Sequence, residues 1–536
     1  LDGTMNAPAT STDTTATTAH GRGWTLAAVS VATFLLMLDL TVVNVALPDI
    51  SASLGSTFSE LQWVLDAYAL GLAVFVLASG ALADRYGRKR VFNVGFVVFI
   101  AASLACGLAP TGEALIAARG LQGVAAAVLF AVGPALIGDA YHGKDRGFAF
   151  GIFGGVSGMA IAFGPLIGGG LTEQLSWQWV FLVNVPLGFL ALGMSVWRTR
   201  ESRAPHPLPL DWWGLLTFSA AVTSLVVAFM RAEGDGWTST PILVLFAASV
   251  ALGAAFLRIE ARLGDRAMVE LALFRSPTMR AFSFVTLIAG AAVMAAIFLI
   301  ISYVQGVWGL SAWDTGVRFL PLTVTLCLAA VVAGSLTTKL RPSVLVGTSL
   351  AAIAVGLALV VRVEADSSWT SLLPAMLFIG LGMGLFNPAR ASLSIAVVEP
   401  AKAGMGSGVS ETFQQVGVAV GIAALGTLFN RRVQDLFLES DAATALAGQA
   451  EGVAELVATG GALTTSAADL DPALAAQIVR DAGAAASGGL HLAMTIAAVA
   501  AGIASVVAFS SIRSKDLFTA PAEHEPAGEV EAIARA

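Results

Sequence analysis

Residues 80–90 read GALADRYGRKR, and the fold turns on how these eleven letters are read. They close an apolar run at 62–82 and lead into another at 91–109. Gly80 permits close approach of a neighbouring helix, Asp84 and Arg85 begin a tight loop, and Gly87 supplies its turn. Arg88, Lys89 and Arg90 follow as a cationic cluster at the water-facing end of both runs. A weaker copy, GSLTTKLR, occupies 334–341. There Gly334, Leu336 and Lys339 match Gly80, Leu82 and Arg85 at an offset of 254 residues, while Thr338 takes the acidic position. An offset of that length implies a duplicated six-helix unit.

The whole chain fits that reading. Of its 536 residues, 57% are hydrophobic and 12% charged, whereas soluble domains carry about 25% charged residues. So few charges cannot cover a water-soluble protein of this size, and composition likewise excludes a disordered chain, a collagen and a disulfide scaffold. The net charge of −7 is less informative than where the charges sit, and no basic tract suits nucleic acid. Cys106 and Cys327 both fall in apolar runs and read as packed, unpaired thiols. Residues 1–4, ahead of Met5, read as an expression remnant. The Ala-, Thr- and Ser-rich stretch that follows reads as a disordered tail, 1–23 in all, rather than a signal peptide.

A bilayer-spanning helix needs about 20 mostly apolar residues. Fourteen such runs are present, too long and too evenly apolar for barrel strands. With the N-terminus cytoplasmic, 21 of the 29 Lys and Arg fall in inside segments and five in outside ones. The expected fold is therefore an all-α polytopic membrane protein with both termini cytoplasmic. One six-helix bundle spans 24–197 and a second, pseudo-symmetric one spans 281–511, including a long outside connection at 430–488 with room for short helices. Between them, 198–280 carries an inserted two-helix hairpin with runs at 212–230 and 241–258. The mixed stretch 259–280 suits a helix lying on the inner bilayer surface, and 512–536 forms a cytoplasmic tail.

Further motifs accompany the loop. DLTVVNVALP at 39–48 closes the first span, ARGLQGVAAAVLFAVGPALIGD at 118–139 runs along the fourth, and GPLIGG at 164–169 ends the fifth. WQWVFLVNVPLG follows at 177–188. With GALADRYGRKR these resemble the major facilitator superfamily, and within it the fourteen-helix drug:proton antiporter family, across essentially the whole helical region. The resemblance implies two bundles that rock to give alternating access, and its GP-x-x-GG element implies export rather than uptake. It makes Gly80, Asp84, Arg85, Gly87 and Arg88 a conformational loop, and Gly164, Pro165, Gly168 and Gly169 a pliable hinge and seal between the bundles. Read from the residues alone, glycines at four-residue spacing (Gly151/Gly155, Gly154/Gly158, Gly164/Gly168) let helices pack closely, and Pro165 kinks its helix.

A carboxylate in hydrocarbon costs about 2.5–3.5 kcal/mol on insertion scales, so each one inside a span needs a reason. Asp39 and Asp66 sit roughly 12 Å and roughly 6 Å from the outer ends of spans 1 and 2, close enough in depth to line one cavity. Acids so placed are sites of proton exchange. The alternatives are a helix-fixing hydrogen bond between Asp39 and Thr41 or Asn44, and plain solvation of Asp66. Arg119 in span 4 needs an acid or a water-filled path, either as a proton relay or as a structural ion pair.

The resemblance places Asp39 and Arg119 on the family's acidic and arginine positions and links them to proton coupling and substrate binding. Asp66 matches an acid of some multidrug members. Glu411, beside Gln414 and Gln415, departs from the family pattern and either shapes substrate choice or sits in the inner vestibule. Arg318 and Arg390, near span ends, read as interface anchors, and Asn387 with Pro388 breaks span 12. Asn44, Tyr303, Gln305, Asn387, Gln414 and Gln415 complete the candidate cavity lining.

No G-x-x-x-x-G-K-[ST] occurs, the five histidines lack metal spacing, and no nucleophile elbow or HExxH appears. Enzymatic activity, ATP, metals and other cofactors are therefore not expected. With the resemblance, the reading is a monomeric exporter of lipophilic or cationic small molecules in a bacterial cell membrane, driven by the proton gradient. Two other readings keep the same residues: an exporter of lipids or lipid-linked metabolites whose inserted pair opens a lateral groove, and a non-transporting receptor or scaffold that uses 430–488.

Overall fold

The computed structural model describes residues 12–518 except 57, 142, 204–210, 265–266, 338, 400–401, 447–448 and 459–471. Every regular element among the described residues is a helix. The first half comprises α1 (Thr12–Leu54), α2 (Phe58–Tyr86), α3 (Arg88–Gly107), α4 (Gly112–Ala140), α5 (Gly143–Gln174), the short α6 (Trp179–Leu182) and α7 (Asn184–Arg198). A hairpin of α8 (Trp212–Asp235) and α9 (Thr240–Leu263) follows. The second half opens with α10 (Pro277–Gly306), α11 (Ala312–Arg318), α12 (Leu320–Leu336), α13 (Pro342–Val360), α14 (Leu373–Ala396) and α15 (Ala403–Leu438). It ends, after the short α16 (Asp441–Leu446) and α17 (Ala450–Ala458), with α18 (Pro472–Ser511).

Among the described residues, twelve helices are long and apolar enough to cross a membrane. The runs 147–170 and 316–337 are helical as well, as the glycine-rich α5 and as α11 with the 17-residue α12. Local chemistry sets many helix starts. Thr111, Asp211 and Ser311 cap α4, α8 and α11 by accepting the N–H three residues on. Proline occupies the first turn of α9, α10, α12, α13 and α14, where its missing N–H goes unused anyway.

The duplication seen in the sequence reappears in the packing. In the first half α1 packs on α5 and α7, α2 on α4, and α3 on α4 and α7. In the second, α10 packs on α15 and α18, α12 on α14, and α13 on α14 and α18. The halves meet by the same rule, α2 on α15 and α12 on α5. A Cβ on Gly80 of α2 would overlap the Gly404 carbonyl of α15, and a Cβ on Gly334 of α12 would overlap the Gly147 carbonyl of α5. The weak repeat thus keeps its glycine at the equivalent contact. The α8–α9 hairpin has no counterpart in this scheme: α8 lies over the seam of α2 and α15, setting Val222 and Val226 on Ala73 and Val74, while α9 is mostly exposed.

Several expectations change. Helix α1 begins at Thr12, inside the stretch read as a disordered tail, because no proline interrupts residues 12–47 and the span's turns continue backward. Among the described residues of 259–280 there is no separate surface helix. Gly264, at φ 55°, ends α9 and Pro277 starts α10, which leaves room for one 3-10 turn at Leu271–Arg275. Met268 and Val269 are buried there, and the Glu260 carboxylate accepts the Val269 N–H at 3.2 Å.

The connection 430–488 is narrower than expected, since α15 runs on to Leu438 and α18 is already helical at Pro472. On these projecting ends α16 and α17 share a core with Phe437, Leu446, Ala454 and Ile478, and Asp481 accepts the Ala442 N–H at 3.1 Å. Helix α14 passes Asn387 and Pro388 without a break. The Pro388 ring rests on Gly154 of α5, whose missing side chain makes the room. Helix α5 is likewise continuous at Pro165, whose side chain lies outside the described residues. Cys106 and Cys327 are unpaired.

Candidate functional site

Asp39 of α1 and Arg119 of α4 meet across 80 positions of sequence. Arg119 Nη1 donates to Asp39 Oδ2 at 2.5 Å and to Gln122 Oε1 at 2.8 Å, while its Nε donates to the Val64 carbonyl of α2 at 3.0 Å. Its guanidinium lies over the Tyr68 ring, 4.3 Å from the centroid. Asp39 Oδ1 accepts from Gln122 Nε2 at 3.1 Å and from Asn184 Nδ2 of α7 at 3.0 Å. Asp39 is 0% and Arg119 1% exposed, so each charge is tenable only because the other and its hydrogen bonds are in place. Thr41 takes no part; its hydroxyl donates to the Met37 and Leu38 carbonyls. The Asn44 side chain lies outside the described residues.

Asp66 is not drawn into this shell. It is half-buried on α2 and has no hydrogen-bond or ion-pair partner among the described residues. Asp39 and Asp66 therefore do not line one cavity in this structure. The reason is helical phase: Asp66 is two residues from both Val64 and Tyr68, which face Arg119, and two residues turn a helix through about 200°. Tyr303 is a core residue rather than a cavity wall, its hydroxyl bonded to Ser487 Oγ at 2.7 Å and its ring set edge-on to Trp308. Gln305, Asn387 and Gln415 are half-buried.

The second half holds a charge couple of its own. Arg390, read as an interface anchor, is buried instead, because α14 continues past Pro388 and leaves it well inside the helix. Its Nη2 meets Glu411 Oε1 of α15 at 2.7 Å and its Nη1 donates to Ser410 Oγ at 3.1 Å. Glu411 Oε2, Arg390 Nε and Gln414 Oε1 are buried without hydrogen-bond partners among the described residues. Arg318, by contrast, pairs with exposed Asp314 one turn away at 2.9 Å, as an anchor does.

At the end of the molecule that carries the loop 80–90, the halves are closed on each other. Gly87, at φ 106°, turns the chain from α2 into α3. Arg88 leaves the surface cluster expected of it and is 3% exposed, because two carboxylates compensate it inside. Its Nη1 donates to both Asp139 oxygens of α4, at 2.5 and 2.6 Å, and its Nε and Nη2 donate to Asp84 Oδ1 at 3.1 and 2.9 Å. Asp84 also accepts the Met405 N–H at 3.1 Å, so an acid of the first half sits at the N-terminus of α15 in the second.

Chain leaving α7 is tied onto the same loop. The Ser202 carbonyl accepts the Arg88 N–H at 2.9 Å, and Glu201 accepts the Lys89 and Arg90 N–H groups at 3.1 and 3.2 Å. Arg85 lies over the Tyr86 ring. Close backbone contacts complete the closure: Gly80 on Gly404, Gly147 on Gly334, Gly151 on the Ala330 carbonyl, and Ser407 Oγ donating to the Ala131 carbonyl at 2.9 Å. Gly164 and Gly168 face Thr41 and Val42 of α1 in their own half, and Gly169 is half-buried.

Asp84→Asn removes the charge that pairs with Arg88 and faces the α15 N-terminus, an interaction of the kind worth about 0.3–1 kcal/mol at a helix end alone. The closure is expected to loosen, read as a several-fold faster alkylation of a Ser407→Cys thiol by a water-soluble maleimide. Gln122, Asn184, Asp139, Ser202 and Ser410 were not singled out in the sequence. Gln122 alone had a usable signal, standing three residues after Arg119 on the same helix face.

The profile of the Major Facilitator Superfamily matches residues 29–422. Puromycin resistance protein pur8 of Streptomyces alboniger is 37% identical over 413 residues, 76% of this chain and 82% of that protein. Multidrug efflux pump LfrA of Mycolicibacterium smegmatis is 30% identical over 480 residues, 89% of this chain and 94% of that protein. Among solved structures, that of the proton:xylose symporter XylE aligns with a TM-score of 0.61 at 12% identity, covering 92% of this chain and 96% of that one.

Proposed function

The chain belongs to the Major Facilitator Superfamily, and on that footing we propose that it is a proton-driven exporter of lipophilic or cationic small molecules. As a member it is a multi-pass transport protein of the cell membrane and not an enzyme. Relatives named for puromycin resistance and multidrug efflux support export of such molecules. The twelve long apolar helices, together with the helical runs of α5 and α11–α12, support a fourteen-span arrangement of the drug:proton antiporter type. In that arrangement α8 and α9 are the inserted pair, and the loop 80–90 and both termini are cytoplasmic. Both halves come from one chain, so a monomer suffices, and the proton gradient needs no added cofactor.

Proton coupling rests on one observation, the contrast between two acids on adjacent helices. Asp39 is fully compensated by Arg119, Gln122 and Asn184, whereas Asp66 has no partner among the described residues. Acids held in such different surroundings divide the labour. Asp66 receives the arriving cation or proton, and Asp39 holds Arg119 until a proton takes its place. Glu411 with Arg390 is the corresponding couple of the second half. The closed end with Asp84 and the paired glycines must part once per cycle to give alternating access.

The test is transport of ethidium into proteoliposomes under an imposed pH gradient, with proton movement followed in parallel. Gradient-driven uptake is expected. Asp66→Asn is expected to lower ethidium flux about ten-fold or more, the effect of losing roughly one charge contact of 1.4 kcal/mol. Asp39→Asn is expected to uncouple substrate from proton movement, and undiminished ethidium-dependent proton release in that variant overturns its assigned role.

A further inference from the structure

We propose that the crevice between α2, α4 and α8 is a lateral port through which a lipophilic monovalent cation passes from the bilayer to Asp66. The proposal rests on the exporter reading and adds to it the place where substrate first binds. The crevice has a volume of about 270 Å³ and is walled by Trp63, Leu70 and Phe75 of α2, Ile116 and Gly120 of α4, and Thr223 of α8. It exists because two glycines withhold side chains where α2 and α4 cross. A Cβ on Gly71 would stand 2.6 Å from the Gly120 carbonyl, so the two backbones touch there. A Cβ on Gly120, in contrast, meets nothing within 4 Å, so the space above it is empty.

Placement makes the space a port. Its α2 wall runs from Trp63, where the apolar span begins, to Phe75 at its midpoint, and Phe75 is 38% exposed on the outside of the bundle. The Phe75 end of the opening therefore faces lipid, and the Trp63 end lies toward the outer end of the span. On its flank stands α8 of the inserted hairpin, which touches both α2 and α15 and so sits at the junction of the two halves. Small-molecule pockets run to about 300–1,000 Å³, so this one holds part of a molecule in passage rather than a whole substrate at rest.

Charge selects the occupant. Asp66 lies three residues after Trp63 and four before Leu70, on the adjoining strip of the same helix face. It has no partner among the described residues. A neutral acyl chain fills the crevice and leaves that carboxylate uncompensated, and an anion is repelled. A molecule with an apolar body and one positive charge satisfies both, and the Trp63 ring at the edge favours a cation further.

The test uses the full-length protein in lipid nanodiscs, with Cys106→Ala and Cys327→Ala and a single thiol from Thr223→Cys. Tetraphenylphosphonium at ten times its dissociation constant is expected to slow alkylation of that thiol about ten-fold, and Asp66→Asn is expected to abolish the protection. The series Gly120→Ala, Gly120→Leu and Gly120→Phe fills open space step by step and is expected to weaken tetraphenylphosphonium binding progressively at unchanged thermal stability. Transport of tetraphenylphosphonium with an unprotected thiol overturns the port and leaves the exporter reading standing. Failure to bind or transport both tetraphenylphosphonium and ethidium overturns the exporter reading, and the port with it. Alkylation that follows the acyl-chain content of the nanodisc but not the cation places an acyl chain in the crevice and overturns the port alone.

Discussion

Arg119→Met is expected to destabilise the protein by about 3–5 kcal/mol and to abolish transport. The substitution keeps most of the side-chain volume, so packing changes little. What it removes is the positive member of a couple in which Asp39 is 0% exposed. Gln122 and Asn184 remain as neutral donors to the carboxylate and cannot cancel a full charge. The Val64 carbonyl and the Gln122 Oε1 lose the guanidinium donor in the same step, and Gln122 Oε1 is left with the weak Cys106 thiol donor alone. Asp39→Asn leaves a milder defect, since Arg119 keeps Gln122, Val64 and the Tyr68 ring. The double variant Asp39→Asn with Arg119→Met buries no charge, and most of the lost stability is expected to return while ethidium flux stays absent. Thermal unfolding of the purified protein, followed beside proteoliposome flux, separates these outcomes. Wild-type stability in Arg119→Met would sink the view that the couple is mutually dependent.

Gly147→Leu is expected to stop transport without unfolding the protein. A Cβ at that position overlaps the Gly334 carbonyl and crowds Thr337 Oγ1. The partner is backbone inside a helix, so no flexible side-chain end can yield, and overpacking of this kind costs about 1–3 kcal/mol or more in a closed interface. Each half retains its own packing when the seam is parted, so the penalty falls on the closed arrangement and not on the fold. A Ser407→Cys thiol, buried at the same closure, is expected to react with a water-soluble maleimide about ten-fold faster, the effect of a 1.4 kcal/mol shift in closure. Gly253→Leu on α9, where a Cβ meets nothing within 4 Å, serves as the comparison and is expected to be silent. Unchanged thiol reactivity in Gly147→Leu overturns the assignment of this contact to the closure.

The parts of the fold legible in the sequence were those written in local pattern. The loop 80–90 announces itself because its turn glycine, acid and basic residues are adjacent, and the all-helical, many-span architecture because apolar runs are long. Charge partners were less legible, since an ion pair between helices has no fixed spacing. Arg390 looked like an anchor because it stands near the end of its apolar run, whereas α14 continues past Pro388, whose ring is received by the Gly154 notch. Sequence position gives depth along a helix, but angle round the helix decides which way each acid faces, and Val64 and Tyr68 rather than Asp66 are turned to Arg119. Asn184 and Asp139 stand within quoted motifs, yet their roles exist only once α7 lies beside α1 and α4 beside α3.

The two buried couples have a further electrical consequence. Asp39 cancels Arg119, and Glu411 cancels Arg390, so neither carries net charge while closed. A transmembrane voltage does about 2.3 kcal/mol of work per elementary charge carried across 100 mV, and acts on a compact neutral pair only through its short dipole. Both couples therefore feel little of it, while Asp66, with no partner among the described residues, offers it a handle. If Asp66 takes up a proton or a monovalent cation, as proposed above, that handle is gone as well, and voltage bears on the empty carrier and lets the loaded one pass.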